Sequence, residues 1–198
     1  MLVAIDTSTD YASLAIHDGF QVQAEHTWRS RRRHTVEVMP RLIAAMEQLE
    51  LSAGHLSGVA VAKGPGSFTG LRVGLAVAKG IALSQGLPIL GVSTLDVVAA
   101  AQGRSRHTLY AVLQAGRGRI SVSAYRYRSG GWRSREEPRL ATWDNLVKEI
   151  KSPTLFCGEI DPPGADALAA LGELATILPA ATRLRRAGFL AELAWRRL

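Results

Sequence analysis

The sequence predicts an α/β protein built as two successive halves of one design. Three observations carry that prediction. The chain opens on an unbroken apolar strand, Leu2 to Asp6, then an alternating one, then a hairpin signal at Asp18-Gly19. Helical and strand patterns alternate from there to Gln102. From His107 the same order of elements returns, without repetition of the sequence itself.

In the first half, Tyr11 to His17 alternates apolar and polar residues and reads as the second strand; Phe20 to Trp28 follows as the third. The basic stretch Ser30 to Arg33 is a loop. From His34 to Glu50 the residues Val38, Leu42, Ala45, Met46 and Leu49 recur at helical spacing, and Pro40 places a helix start or kink near it. Gly58 to Ala62 is apolar throughout, as a strand buried on both faces must be. Gly70 to Gly86 is a helix, Pro88 to Val92 a short strand, and Ser93-Thr94 caps a helix ending at Gln102.

In the second half, Leu109 to Ala115 is apolar, Arg119 to Tyr127 alternates, and Trp132 to Leu140 supplies a third strand. Thr142 caps a helix over Trp143 to Ile150. Thr154 to Cys157 is a strand, Ala165 to Leu171 helical, Ala175 to Leu178 a short strand, and Arg183 to Leu198 a last amphipathic helix. Three meandering strands followed by alternating helix and strand describe a ribonuclease-H-like half. Two in tandem describe the actin/hexokinase-like architecture. The join falls near Ala100 to Arg106, which divides the chain into domains 1–103 and 104–198, the last helix being free to pack back on the first domain.

The 198 residues carry a formal net charge of +7, with arginines in knots at 29–33, 104–106, 117–119, 126–128, 183–186 and 196–197. A chain this basic is drawn to nucleic acid or an acidic partner. A solvated, arginine-rich surface is the other reading, since no aromatic residues alternate with the arginines in a stacking pattern. Cys157 is the single cysteine, so neither an intramolecular disulfide nor a thiolate metal cluster is expected. The start has no basic segment before its apolar run, and no apolar run approaches the ~18–20 residues that span a bilayer. A cytoplasmic protein without membrane association is the expectation.

Candidate chemistry is sparse. Asp6-Thr7-Ser8-Thr9 follows the first strand and, in the tandem architecture, faces the cleft between domains. There Asp6 would orient a metal-bound water, and Thr7 and Ser8 would meet phosphates. An ordinary hairpin turn with satisfied backbone donors is the competing reading. The histidines offer no metal pair, because His34 has Val38 four residues on. No Gly-x-Ser-x-Gly elbow occurs, and Cys157 lies in a buried strand. The run Lys63-Gly-Pro-Gly-Ser-Phe-Thr-Gly70 looks like a phosphate loop but is none: the lysine is at the wrong end and Pro65 removes an amide. It makes a tight turn in which Ser67 or Thr69 caps the next helix, with Phe68 at the tip.

In that helix Gly70, Gly74, Ala78 and Ala82 form a smooth stripe, with Val73, Val77 and Ile81 beside it. A helical glycine costs about 0.5–1 kcal/mol relative to alanine, so close approach of another backbone is expected. A helix this apolar is buried on more than one side. One side is its own sheet; the other is the first helix or a second protein.

Four stretches together resemble the TsaB (YeaZ) family: Asp6-Thr-Ser-Thr, His34-Thr with Met39-Pro40, Gly64-Pro-Gly-Ser-Phe-Thr-Gly-Leu-Arg-Val-Gly74 and Gly91-Val-Ser-Thr-Leu95. The resemblance is firm over about the first 100 residues and rests on element order beyond them. It implies the tandem fold and a non-catalytic subunit of the bacterial complex that installs threonylcarbamoyladenosine beside the tRNA anticodon. It implies that catalysis belongs to a homologous partner, TsaD, whose metal-binding His-x-x-x-His the His34/Val38 pair lacks. Pairing is implied through the first two helices, here His34, Val38, Met39, Leu42, Thr69, Arg72, Val73, Ala76, Val77 and Gly80. The mate is a TsaD-like subunit or a second copy, a contact of ~800 Å² per partner. A TsaE-like ATPase joins, tRNA is met through the complex, and no cofactor is bound by this chain alone, with ATP or ADP at the junction of partners. Two departures from the family pattern stand out. Gln114-Ala-Gly-Arg-Gly-Arg119 replaces an acidic stretch, and the tail after Leu198 is absent. A small-molecule kinase of the same architecture is the alternative, and a direct tRNA binder a third reading.

Overall fold

A computed structural model describes residues 1–31 and 33–198; Arg32, in the basic stretch, lies outside the described residues. In chain order the strands are β1 (Leu2–Asp6), β2 (Tyr11–His17), β3 (Val22–Arg29), β4 (Gly58–Ala62), β5 (Ile89–Val92), β6 (Thr108–Gly116), β7 (Arg119–Arg128), β8 (Gly131–Ser134), β9 (Arg139–Ala141), β10 (Thr154–Gly158) and β11 (Ala175–Ile177). The helices are α1 (His34–Gln48), α2 (Phe68–Gln85), α3 (Thr94–Ala100), α4 (Trp143–Glu149), α5 (Pro162–Ala169), α6 (Ala180–Arg183) and α7 (Ala187–Trp195). The chain divides into two compact units, 1–97 with 186–198, and 98–185.

The first unit is a five-stranded sheet in the order β3-β2-β1-β4-β5. β2 runs antiparallel to β1 and β3; β4 is parallel to β1 and to β5. Every residue of β1 and β4 is buried, because both sheet faces are covered. Val3, Ile5, Leu14, Val59 and Val61 pack under α1 and α2 with Val38, Leu42, Ala78 and Ala82. Leu2, Ala4, Ala15 and Ala60 point the other way, onto Leu190, Ala191 and Ala194 of α7. Period-two alternation thus sends each strand's apolar residues to both layers, which is why β1 reads as one continuous apolar run.

The last helix was expected over 183–198. It begins at Ala187 and belongs to the first unit, tied there by the Ala187 amide on Ser13 Oγ (2.8 Å), the Gly188 amide on Glu25 (2.7 Å) and the Arg186–Glu25 ion pair. The expected domain boundaries shift accordingly. The division falls inside α3, since Val97 packs with Leu2, Ala4 and Leu190. Phe20 is fully exposed ahead of β3 rather than part of it. Pro40 sits within α1, which starts at His34.

The second unit repeats the order as β11-β10-β6-β7-β8, with β9 also paired to β7. β6, β10 and β11 are parallel, and β7 is antiparallel to β6 and β8. Each unit therefore sets its third, second and first strands side by side and continues with two parallel strands, the fourth and fifth in the first unit and the fifth and sixth (β10 and β11) in the second, the ribonuclease-H-like arrangement. The expected strand over 132–140 is two strands with a break at 135–138. The expected helix over 165–171 starts earlier, at Pro162, because the Asp161 carboxylate caps it by accepting from the Gly164 amide at 3.1 Å. Val112, Val122, Leu146, Phe156 and Leu168 form its core.

Candidate protein–protein interface

The glycine-rich turn and the Asp6-Thr7-Ser8 turn serve each other. Ser67 donates its amide to Ser8 O at 2.6 Å and, as helix cap, accepts from the Gly70 amide at 3.3 Å. Thr7 Oγ1 donates to Gly70 O at 2.7 Å; the Ser8 hydroxyl donates to Asp6 Oδ1 at 2.5 Å and the Ser8 amide to the same oxygen at 2.8 Å. A Cβ on Gly66 would stand 2.3 Å from Ser8 O, on Gly70 2.1 Å from Thr7 O, and on Gly74 2.4 Å from Thr7 Oγ1. The close neighbour foreseen from the glycine stripe is therefore this chain's own first turn. Asp6, Thr7 and Ser8 are buried, and the two hydroxyls expected to meet phosphates are engaged within the unit. Nothing in this geometry favours a kinase.

The outward faces of α1 and α2 differ from the expected set. Val38 and Leu42 are only 1% and 2% exposed and pack on the sheet, so they are core and not contact residues. His34 is buried, its Nδ1 without a hydrogen-bond partner among the described residues. Val73 and Val77 are half-buried, while Met39, Thr69, Arg72, Ala76 and Gly80 are exposed. The sequence reading missed Val36, Ile43, Leu75 and Leu83, which are 59%, 48%, 40% and 83% exposed. A signal was present: Val36, Met39, Pro40 and Ile43 form a second stripe at i, i+3, i+4 and i+7, beside the core stripe. α1 and α2 contact each other and both pack on the first sheet, and each carries exposed apolar residues on its outer side.

Gly80 is the most telling member. A Cβ there would meet nothing within 4 Å. Unlike Gly70 and Gly74, this glycine has no reason inside the chain, yet it sits mid-helix at a cost of about 0.5–1 kcal/mol.

Among known proteins, the chain is 32% identical over 160 residues to the tRNA threonylcarbamoyladenosine biosynthesis protein TsaB of Bacillus subtilis (strain 168), covering 79% of this chain and 70% of that protein. The chain belongs to the TsaB (YeaZ) family. The Escherichia coli (strain K12) TsaB protein is 33% identical over 138 residues, 68% of this chain and 59% of that one. A family model described as TsaD, tRNA N6-adenosine threonylcarbamoyltransferase, matches residues 22–144. The solved structure of YeaZ from Pseudomonas aeruginosa superposes with a TM-score of 0.82 at 23% identity, covering 99% of this chain and 92% of that one. TsaB membership and the duplicated fold thus rest on independent comparisons. Among the described residues no group of three His, Cys, Asp or Glu is placed to hold a metal, and no helix is long and apolar enough to cross a membrane.

Proposed function

We propose that this chain acts in tRNA threonylcarbamoyladenosine biosynthesis as a non-catalytic, activating subunit that pairs through α1 and α2 with a TsaD-like catalytic subunit. The observation that carries the reading is Gly80, a helical glycine with open space around it in the middle of an exposed apolar surface. Exposed apolar patches of this kind mark partner sites, and a glycine lets a second helix backbone come close. In this reading a homodimer through the same surface competes with the mixed pair. A TsaE-like ATPase, and ATP or ADP, belong in this reading to the junction of the assembled subunits.

The test is co-purification of the tagged chain with its TsaD-like subunit, followed by mass measurement. The unaltered chain is expected to recover the enzyme in a one-to-one complex. Val36→Asp and Gly80→Arg, which touch no core contact, are expected to lose it while melting as the unaltered chain does. Recovery of self alone at high concentration, or full recovery by both variants, refutes the proposal.

A further inference from the structure

The positive charge of this chain is concentrated in one unit. Residues 98–185 hold 13 lysines and arginines against 8 carboxylates, +5 of the total of +7. Within that unit the β7–β8 hairpin arranges four of the arginines. Its turn passes through Ser129 (φ 50°) and Gly130 (φ 78°), two left-handed residues in succession, the form whose twist matches paired strands. The register sets Arg126 directly opposite Arg133 and Arg128 opposite Gly131. The chain continues to Arg135, whose amide donates to Ala124 O at 2.9 Å. Residues two apart on a strand share a face, so Arg126, Arg128, Arg133 and Arg135 stand together, and all four are exposed.

This arrangement is costly in the chain alone. Like charges directly opposite on an antiparallel pair, with Cβ atoms about 4.5–5.5 Å apart, are destabilising. Among the described residues none of the four makes an ion pair; the arginines paired to carboxylates are Arg139, Arg185 and Arg186. The hairpin does not relieve the repulsion by working loose, because its other face is pinned. Trp132 Nε1 donates to Gln102 O at 3.1 Å, the Tyr127 and Trp132 rings meet edge to face at 5.5 Å, and the Arg104 guanidinium lies 6.0 Å from the Tyr127 ring centre. Tyr127 and Trp132 alternate with Arg126, Arg128 and Arg133 along the two strands, but they anchor the hairpin on its inward face rather than forming a stacking platform beside the arginines.

We infer that this arginine face binds the phosphodiester backbone of a folded RNA, without reading bases. The face offers planar forks that suit phosphate oxygens. They are spaced about 7 Å along a strand and about 5 Å across it, a regular array that matches a regular chain of charges. A membrane reading is disfavoured, because the aromatic residues that would enter a bilayer are on the inward face. The inference concerns the second unit and stands whether or not the α1–α2 surface pairs with a TsaD-like subunit.

The experiment is fluorescence anisotropy of a labelled, unmodified tRNA transcript titrated with the full chain between about 50 and 200 mM salt. Arg126→Glu/Arg133→Glu is compared with Arg196→Glu/Arg197→Glu, which makes the same change in charge at exposed positions of the first unit. The hairpin variant is expected to weaken binding by about tenfold or more and to reduce the log–log salt slope by roughly 1.5, two phosphate contacts' worth; the other variant keeps the slope. Arg126→Gln/Arg133→Gln, checked by circular dichroism, decides the matter if the glutamates unfold the hairpin. Equal losses in the two glutamate variants, unaltered binding by the glutamine variant, or equal competition by polyglutamate or phosphatidylglycerol vesicles each overturn the proposal.

Discussion

Gly74→Ala turns the contact between α2 and the first turn into a measurable quantity. The new methyl would lie 2.4 Å from Thr7 Oγ1, and its next neighbours, Val61 Cγ2 and Thr7 Cβ, at 3.6 and 3.7 Å, are in ordinary contact. The whole conflict is thus with one hydroxyl. That hydroxyl is on a β-branched, buried side chain and donates to Gly70 O at 2.7 Å, so it does not swing aside freely. Overpacking of this kind costs about 1–3 kcal/mol, and displacing the hydroxyl loses a hydrogen bond worth about 1 kcal/mol. Against these, alanine recovers about 0.5–1 kcal/mol of helix propensity. The net expectation is a loss of roughly 2 kcal/mol, a fall of about 1 M in the urea midpoint for a slope near 2 kcal/mol/M. In a Thr7→Ala background the obstruction is gone, and Gly74→Ala should become neutral or stabilising by up to about 1 kcal/mol. The coupling energy is then about 2–3 kcal/mol, at the upper end for residues in contact. Gly70→Ala is the control: its methyl meets Thr7 O, a backbone atom, at 2.1 Å, and Thr7→Ala should not rescue it. A cost for Gly74→Ala that is the same in both backgrounds, within about 0.5 kcal/mol, refutes the reasoning.

Gly80→Ala should do the opposite of Gly74→Ala in the isolated chain, raising stability by about 0.5–1 kcal/mol because its methyl meets nothing, while weakening capture of the TsaD-like subunit. Leu42→Ala should cost about 2–5 kcal/mol in urea unfolding, since Leu42 is a core residue at 2% exposure; a stable Leu42→Ala that only loses its partner would move that residue to the interface. Cys157 is fully buried, and burial pushes its thiol well above the usual range. The native chain should not react with a thiol reagent until it is unfolded. The folded state then holds a proton that the unfolded state releases, so this contribution is complete below the ordinary thiol pKa of about 8.5 and is lost as pH rises above it. Cys157→Ala should flatten the decline of the urea midpoint between about pH 8 and 10; an unchanged decline assigns it to other groups.

Local features of the fold were legible in the sequence because they are written in adjacent residues. β1 and β4 announce themselves as apolar runs, α1 by its 38-42-45 period, the α4 start by Thr142, which does accept from Asn145, and the α2 start by Ser67 or Thr69, of which Ser67 is the one that accepts, from Gly70. The outward faces of the two helices proposed to pair were less legible. Periodicity shows that α1 carries apolar residues in excess of one core face, but not which stripe the sheet takes. Val38 and Leu42 went to the sheet, leaving Val36, Met39 and Ile43 outside. The same limit hid the meaning of the glycines. Gly70, Gly74 and Gly80 look alike in a row, yet two are pressed by Thr7 and one faces open space.

The sequence by itself determined the class of the protein, the order of its strands and helices, and its resemblance to TsaB, since hydrophobic period, caps and a long specific motif are all properties of neighbours in the chain. Tertiary structure alone decided that α7 completes the first unit across more than 150 residues, as Ala187 on Ser13 shows. It also decided that Arg126 stands opposite Arg133. The first follows from which distant surfaces bury each other, since burial is set by partners in space rather than by position along the chain; the second follows from the register that the turn at Ser129-Gly130 fixes.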